Sequence, residues 1–231
     1  MKPLLIIANF KSNKTTLEAN DWLQEISNKV ILSESKYQIS NISDKEVIIC
    51  PSLTLLSIFK EFIRDQKLPI KLGAQDISAY DQGAYTGEVN GKQIKELADY
   101  VLIGHSERRS LLKESDKLIE EKVKKAIAVN LQPIFFVQNV GTPIPRGVEI
   151  IVYEPPESIS TVSGGVADNP KDVSETISQL RGSHSFKYAL YGGSVDSQNV
   201  FTFTSLPNVD GVVPGRASLD ALEFLKIIEN A

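Results

Sequence analysis

Tyr100-Val101-Leu102-Ile103, then a stretch in which Ile119, Val123 and Ile127 recur every four residues, then Pro133-Ile134-Phe135-Phe136-Val137: residues 100–137 decide the fold. The two flanking runs are short and almost wholly apolar, as strands buried on both faces are. The segment between them carries one apolar stripe at helical spacing. Strand, helix, strand in that order needs a crossover, so the two strands run parallel.

Outward from this unit the alternation repeats. Toward the N-terminus lie the runs Leu4–Ala8, Val47–Cys50 and Ile70–Ala74; toward the C-terminus lie Val148–Tyr153, Tyr188–Tyr191 and Val209–Val213. Between them Trp22, Leu23, Ile26 and Val30 form one helix face, and Leu55, Leu56, Phe59 and Ile63 another. Val173, Ile177 and Leu180 precede the seventh run, and Leu222, Phe224, Leu225 and Ile228 close the chain. Eight units over 231 residues come to about 29 each, the scale of a closed (β/α)8 barrel. The expectation is therefore an α/β chain with a single domain over residues 1–231. One unit departs from the pattern. Residues 138–147 hold Pro143, Pro145, Gly141 and Gly147, which leave no room for a full helix. The fifth helix should be reduced to a turn.

Composition narrows the function. The chain is 42% hydrophobic and 23% charged, which is globular rather than disordered. A net charge of −4 with no basic stripe argues against a dedicated nucleic-acid binder. Cys50 is the single cysteine, so no internal disulfide forms, and a reducing, cytoplasmic setting is expected. The apolar run Leu4–Ala8 is too short for a signal-peptide core, and no run approaches a membrane span. Two histidines and one cysteine make no metal-ligand cluster, and neither a Walker loop nor G-x-G-x-x-G is present. Neither metal nor cofactor is expected.

Chemistry in such a barrel sits where strands end and the following loops begin. After the first run come Asn9 and Lys11; after the fourth, Gly104-His105-Ser106-Glu107-Arg108-Arg109; after the sixth, Glu154-Pro155-Pro156. The seventh is followed by Gly192-Gly193-Ser194 and the eighth by Pro214-Gly215-Arg216. Taken singly, each is ordinary: a solvated lysine, a half-buried histidine, a tight glycine turn, surface ion pairs from Glu107, Arg108 and Arg109. Together they bring a cation, an imidazole, a carboxylate and two glycine turns to one rim. That set suits proton transfer beside a carbonyl and the grip of a phosphate.

With these residues the sequence resembles the triosephosphate isomerase family. The segments that carry the resemblance are Ala8-Asn9-Phe10-Lys11, Gly83-Ala84-Tyr85-Thr86-Gly87-Glu88, Ile103 to Arg109, Tyr153-Glu154-Pro155 and Tyr191-Gly192-Gly193-Ser194-Val195. They occur in the family's order across nearly the whole chain. The resemblance implies a TIM barrel isomerase of glycolysis and gluconeogenesis, acting on dihydroxyacetone phosphate and glyceraldehyde 3-phosphate without a cofactor. It implies Glu154 as the base, His105 as the electrophile, and Lys11 with Asn9 as polar partners of the substrate. Ser160, Ser194, Gly215 and Arg216 would hold the phosphate. The sixth loop, from Pro155 to about Val166, would be a lid that excludes water.

The resemblance also implies a homodimer, with a tetramer as the alternative. Thr86 would buttress the partner's Asn9 and Lys11, and Glu88 would face the partner's Arg108, which Glu114 also contacts in its own subunit. Three segments depart from the family pattern. The lid's Gly-Thr-Gly reads Ser160-Thr161-Val162, the eighth loop's paired glycines read Gly215-Arg216, and the fifth strand's Cys-Ile-Gly-Glu reads Phe136-Val137-Gln138-Asn139. The opening Pro155-Pro156-Glu157 and the reduced fifth helix are both similar to the short archaeal-type members. Two other readings compete: a different sugar-phosphate enzyme on this fold, which leaves the His105 segment unexplained, and a non-catalytic binding protein, which leaves all three reactive side chains unexplained.

Overall fold

The computed structural model describes residues 2–31, 44–155 and 167–231. Eight parallel strands close on themselves in sequence order: β1 (Leu4–Asn9), β2 (Lys45–Cys50), β3 (Ile70–Ala74), β4 (Tyr100–Ile103), β5 (Gln132–Val137), β6 (Ile150–Tyr153), β7 (Tyr188–Tyr191) and β8 (Gly211–Val212). Closure is made by β1 against β8, with Leu5 opposite Gly211 and Ile6 opposite Val212. All eight expected runs are strands, so the chain is a single (β/α)8 barrel. Val148 and Glu149 fall before β6, and only two residues of the last run pair as β8.

The outer helices are α1 (Thr16–Ile31), α2 (Leu56–Asp65), α3 (Gly91–Lys95), α4 (Ser106–Leu111), α5 (Asp116–Ala128), α6 (Pro170–Ser183), α7 (Val200–Thr204) and α8 (Ala221–Asn230). No helix joins β5 to β6, as the prolines and glycines of that stretch require. Thr142 Oγ instead accepts the N–H groups of Gln138 and Asn139, and Asn139 Oδ1 accepts that of Gly141.

Alternate strand residues face opposite sides, which explains why the strands are apolar throughout. Leu5, Ile7, Ile48, Leu102, Ile134, Phe136, Ile150, Val152 and Leu190 fill the barrel interior. Their neighbours Ile6, Val47, Val101, Phe135, Ile151 and Ala189 meet the helices. Two expected core positions face outward. Ile127 and Leu222 are each 40% exposed. Ala126 takes the buried place on α5, and Ala221 opens the buried stripe of α8. Val30 lies outside the described side chains.

Candidate active site

Every rim residue gets its place from the strand end that carries it. Phe10, just past β1, is wedged edge-on against Trp22 and Phe59, with ring centroids 5.1 and 5.8 Å away. This anchors the chain immediately before Lys11. Lys11 then turns with φ +50°, a left-handed conformation costly for a residue with a side chain. Two side chains hold it there. Asn9 Oδ1 accepts the Lys11 N–H at 3.0 Å, and Gln75 Nε2 donates to the Lys11 carbonyl at 2.9 Å. The same Gln75 nitrogen reaches the Cys50 carbonyl at 2.9 Å, tying the first loop to β2. The Lys11 ammonium pairs with Glu107 Oε1 at 2.6 Å. Its Cε lies 3.4 Å from where a Cβ on Gly215 would stand, so the cation sits beside the eighth loop.

Gly104 ends β4 with φ +78°, a conformation that favours glycine. His105 follows as the residue that caps α4, and its Nδ1 accepts the Glu107 N–H at 3.2 Å. An accepting Nδ1 leaves the ring proton on Nε2. That Nε2 lies 3.0 Å from Glu154 Oε1. Glu154 Oε2 accepts the Ser106 N–H at 2.9 Å. Both side chains are buried, Glu154 to 2% exposure. A buried carboxylate is costly unless its oxygens are satisfied, and here each oxygen has one donor from the start of α4. The Glu154 backbone is set by its N–H to the Val137 carbonyl.

At the end of β7, Tyr191 Oη both donates to Asp168 Oδ2 at 2.9 Å and accepts the Asp168 N–H at 3.0 Å. The Ser194 carbonyl is held by Asn199 Nδ2 at 3.0 Å. Gly215 precedes a 3-10 turn, Arg216–Leu219, and Arg216 is exposed. Ser160 lies outside the described residues, as do Thr161 and Val162.

The family model for triosephosphate isomerase matches residues 4–143 and 145–231. A triosephosphate isomerase from Mesomycoplasma hyopneumoniae is 32% identical over 98% of this chain and 99% of its own length. One from Thermus thermophilus is 31% identical over the full length of both. The crystal structure of triosephosphate isomerase from Bartonella henselae superimposes with a TM-score of 0.78 at 29% identity, covering 98% of each chain. The chain belongs to the triosephosphate isomerase family. It is thus a member of a family of isomerases built on this barrel.

Against that family background, some of the expected site residues come together and others do not. Asn9, Lys11, His105, Glu154 and Gly215 converge on one rim and are linked by the contacts above. Thr86 and Glu88 stand apart, exposed on the loop after β3, where Tyr80 and Tyr85 stack at 4.2 Å. Arg108 is committed within its own chain. It pairs with Asp76 at 2.6 Å and with Glu114 at 2.7 Å, and Lys122 bridges the same two carboxylates. Burial pushes the Asp76 carboxyl up, with Lys122 and Arg108 offsetting only part of that. Burial also acts to raise Glu114, but hydrogen bonds from Arg108 and Lys122 outweigh it and hold that carboxyl below the usual range.

Ser106-Glu107 reads in the sequence as able to open a short helix after His105, and α4 begins there, but the sequence does not single out Gln75 or the contacts that Ser106 and Glu107 make with Glu154 and Lys11. Ser106 acts through its backbone, which no residue type advertises. Gln75 stands just past the end of β3, two strands from Asn9, and that strand-end position is its signal in the sequence.

Proposed function

We propose that this chain interconverts dihydroxyacetone phosphate and D-glyceraldehyde 3-phosphate through an enediolate. The observation that carries the proposal is the 3.0 Å approach of His105 Nε2 to Glu154 Oε1 on a buried rim beside Lys11. A proton donor and a carboxylate base meet in water-poor surroundings, and the cation stands next to them. When substrate enters, its oxygens take the Nε2–H and the Lys11 ammonium, and Glu154 is freed toward carbon. Glu154 takes the proton from the carbon beside the carbonyl. The C–H electron pair becomes the new carbon–carbon π bond, and the carbonyl pair moves to oxygen. Preorganised donors stabilise that developing charge most strongly where water is excluded. Glu154 returns its proton to the neighbouring carbon and a proton passes between the two oxygens, so the reaction needs no external reactant.

Asn9, Ser160, Ser194, Gly215 and Arg216 are the proposed substrate contacts. For the phosphate, backbone N–H groups of Ser160, Ser194, Gly215 and Arg216 are the donors, since a dianion is best held by converging amides. The working unit is a homodimer, with a tetramer as the alternative, joined through Thr86, Glu88 and Arg108. Its place is the cytoplasm; among the described residues no helix is long and apolar enough to cross a membrane.

A coupled assay of glyceraldehyde 3-phosphate isomerisation, wild type against Glu154→Gln, tests the reading. Loss of the positioned base should lower kcat by at least roughly 10²–10⁴-fold. A wild type no faster than Glu154→Gln would refute it.

A further inference from the structure

We propose that Gln138 is a positioning residue for His105, acting from β5 through the peptide that precedes the histidine. The proposal deepens the isomerase reading and rests on it. Ile134 and Phe136 of β5 point into the barrel among Leu102, Ile150 and Val152. Gln138 lies two residues beyond Phe136, on the same inner side at the rim. Val137 pairs with Tyr153, which sets Gln138 beside Glu154. Its Nε2 donates at 3.3 Å to the carbonyl of Gly104, just past the end of the neighbouring strand β4.

That carbonyl also accepts Arg109 Nε at 2.9 Å. A carbonyl oxygen has two lone pairs, so these two donors saturate it. The Gly104–His105 peptide is therefore fixed from the helix side by Arg109 and from the strand side by Gln138. The ring itself rests on Phe136, with centroids 4.8 Å apart and planes at 59°. β5 and the residue that follows it thus hold His105 twice, at its ring and at the peptide before it. Gln138 is in turn held by its own turn, where Thr142 Oγ accepts the Gln138 N–H at 3.2 Å and the Asn139 N–H at 3.3 Å. The stretch without a helix between β5 and β6 therefore presents a fixed amide to the fourth loop. With the ring so held, Nδ1 stays on the Glu107 N–H and Nε2–H stays aimed at the reacting centre.

The test compares wild type with Gln138→Met, which keeps the length and removes the donor, and with Gln138→Asn, which keeps the amide and falls short of Gly104. Two readouts are used: the steady-state constants and the imidazole 15N spectrum. The chain has two histidines, so His105 is resolved against His184 alone. A small misplacement of a catalytic group costs up to about a hundredfold in rate. Both variants should lose roughly ten- to a hundredfold in kcat with KM within about twofold. In both, the two His105 nitrogen shifts should move toward each other as the tautomers mix. An unchanged kcat overturns the proposal. So does a fall in kcat with an unaltered His105 spectrum, because Gln138 would then act on something other than the ring. The spectrum needs no turnover, so an inactive wild type would defeat the isomerase reading while the shifts still decide the role of Gln138.

Discussion

Glu154 is bound at both carboxylate oxygens before any substrate arrives, and this shapes the chemistry at the residue scale. The Ser106 N–H and the His105 Nε2–H hold it at 2.9 and 3.0 Å. In the proposed reaction substrate competes for the second of these, so Glu154 would be released by the same oxygen that His105 would polarise. Residue-scale precision of this kind also decides what the glycines do. Gly193 has no unusual φ, yet a Cβ there would collide with the Tyr191 hydroxyl. Gly193→Ala must therefore displace the ring that is bonded to Asp168, and overpacking of this kind costs about 1–3 kcal/mol. Gly182 in α6 is the opposite case. Nothing stands within 4 Å of its Cβ position, so Gly182→Ala should stabilise by about 0.4–1 kcal/mol through the unfolded chain. Thermal melts of the two variants at equal concentration should shift in opposite directions. A Gly193→Ala melt at or above wild type would mean that Tyr191 is not held as described.

At the scale of elements, apolar runs identified all eight strands because a parallel barrel buries both strand faces, leaving little alternation to misread. The long helices were legible from Trp22–Ile26, Leu55–Phe59 and Val173–Leu180 for the same reason in its 3.6-residue form. The short α3 and α7 were not. Five residues of α3 or α7 span little more than one turn, too few for a stripe to repeat. What could have revealed α3 was its cap. Asn90 Oδ1 accepts the N–H groups of Lys92 and Gln93, and Gln93 Oε1 accepts the Asn90 N–H. This reciprocal pair is the capping box, disguised by Gly91, which reads as a helix breaker. Gly91 is buried against Ile77 and Val129, where a Cβ would be crowded. In so short a helix the cap is much of the stability. Asn90→Ala should cost about 1 kcal/mol, a fall of roughly 2–4 °C in Tm for a chain of this size. An unchanged melting point would show that α3 is held by packing alone. The candidate site was legible where a strand end supplied a titratable side chain, as with Lys11, His105 and Glu154, which the fold brings to one rim. It was illegible where a backbone N–H or a bridging amide did the holding, as with Ser106, Gln75 and Gln138.

For the whole molecule, the question is what covers the flank of the rim. Leu111 and Leu112, at the end of α4, are 75% and 61% exposed. They border a hollow shared with Asn9, Lys11, Gln75, His105, Glu107 and Arg108. His105 and Glu154 are buried, but the hollow beside them opens sideways onto these bare leucines, so this flank is where a cover would exclude further water. The loop after β3 offers a cover. Its residues 81–88 are exposed, and its two stacked tyrosines stiffen the tip. The loop of a second copy, entering this hollow with Thr86 foremost, would bury the leucines and shield Lys11. The Arg108–Asp76–Glu114–Lys122 cluster beneath stiffens the wall that receives it. If that docking holds, Thr86→Arg forces a guanidinium into a space already bordered by Lys11 and Arg108, and burying an unpaired charge there is prohibitive. The variant should sediment as a monomer at micromolar concentration and lose about a hundredfold or more in kcat/KM, since misplacing Lys11 alone costs on that order. Its circular dichroism should stay that of the intact barrel, because residue 86 packs on nothing in its own core. A Thr86→Arg dimer of full activity would remove this loop from the interface and leave Leu111 and Leu112 to another partner surface.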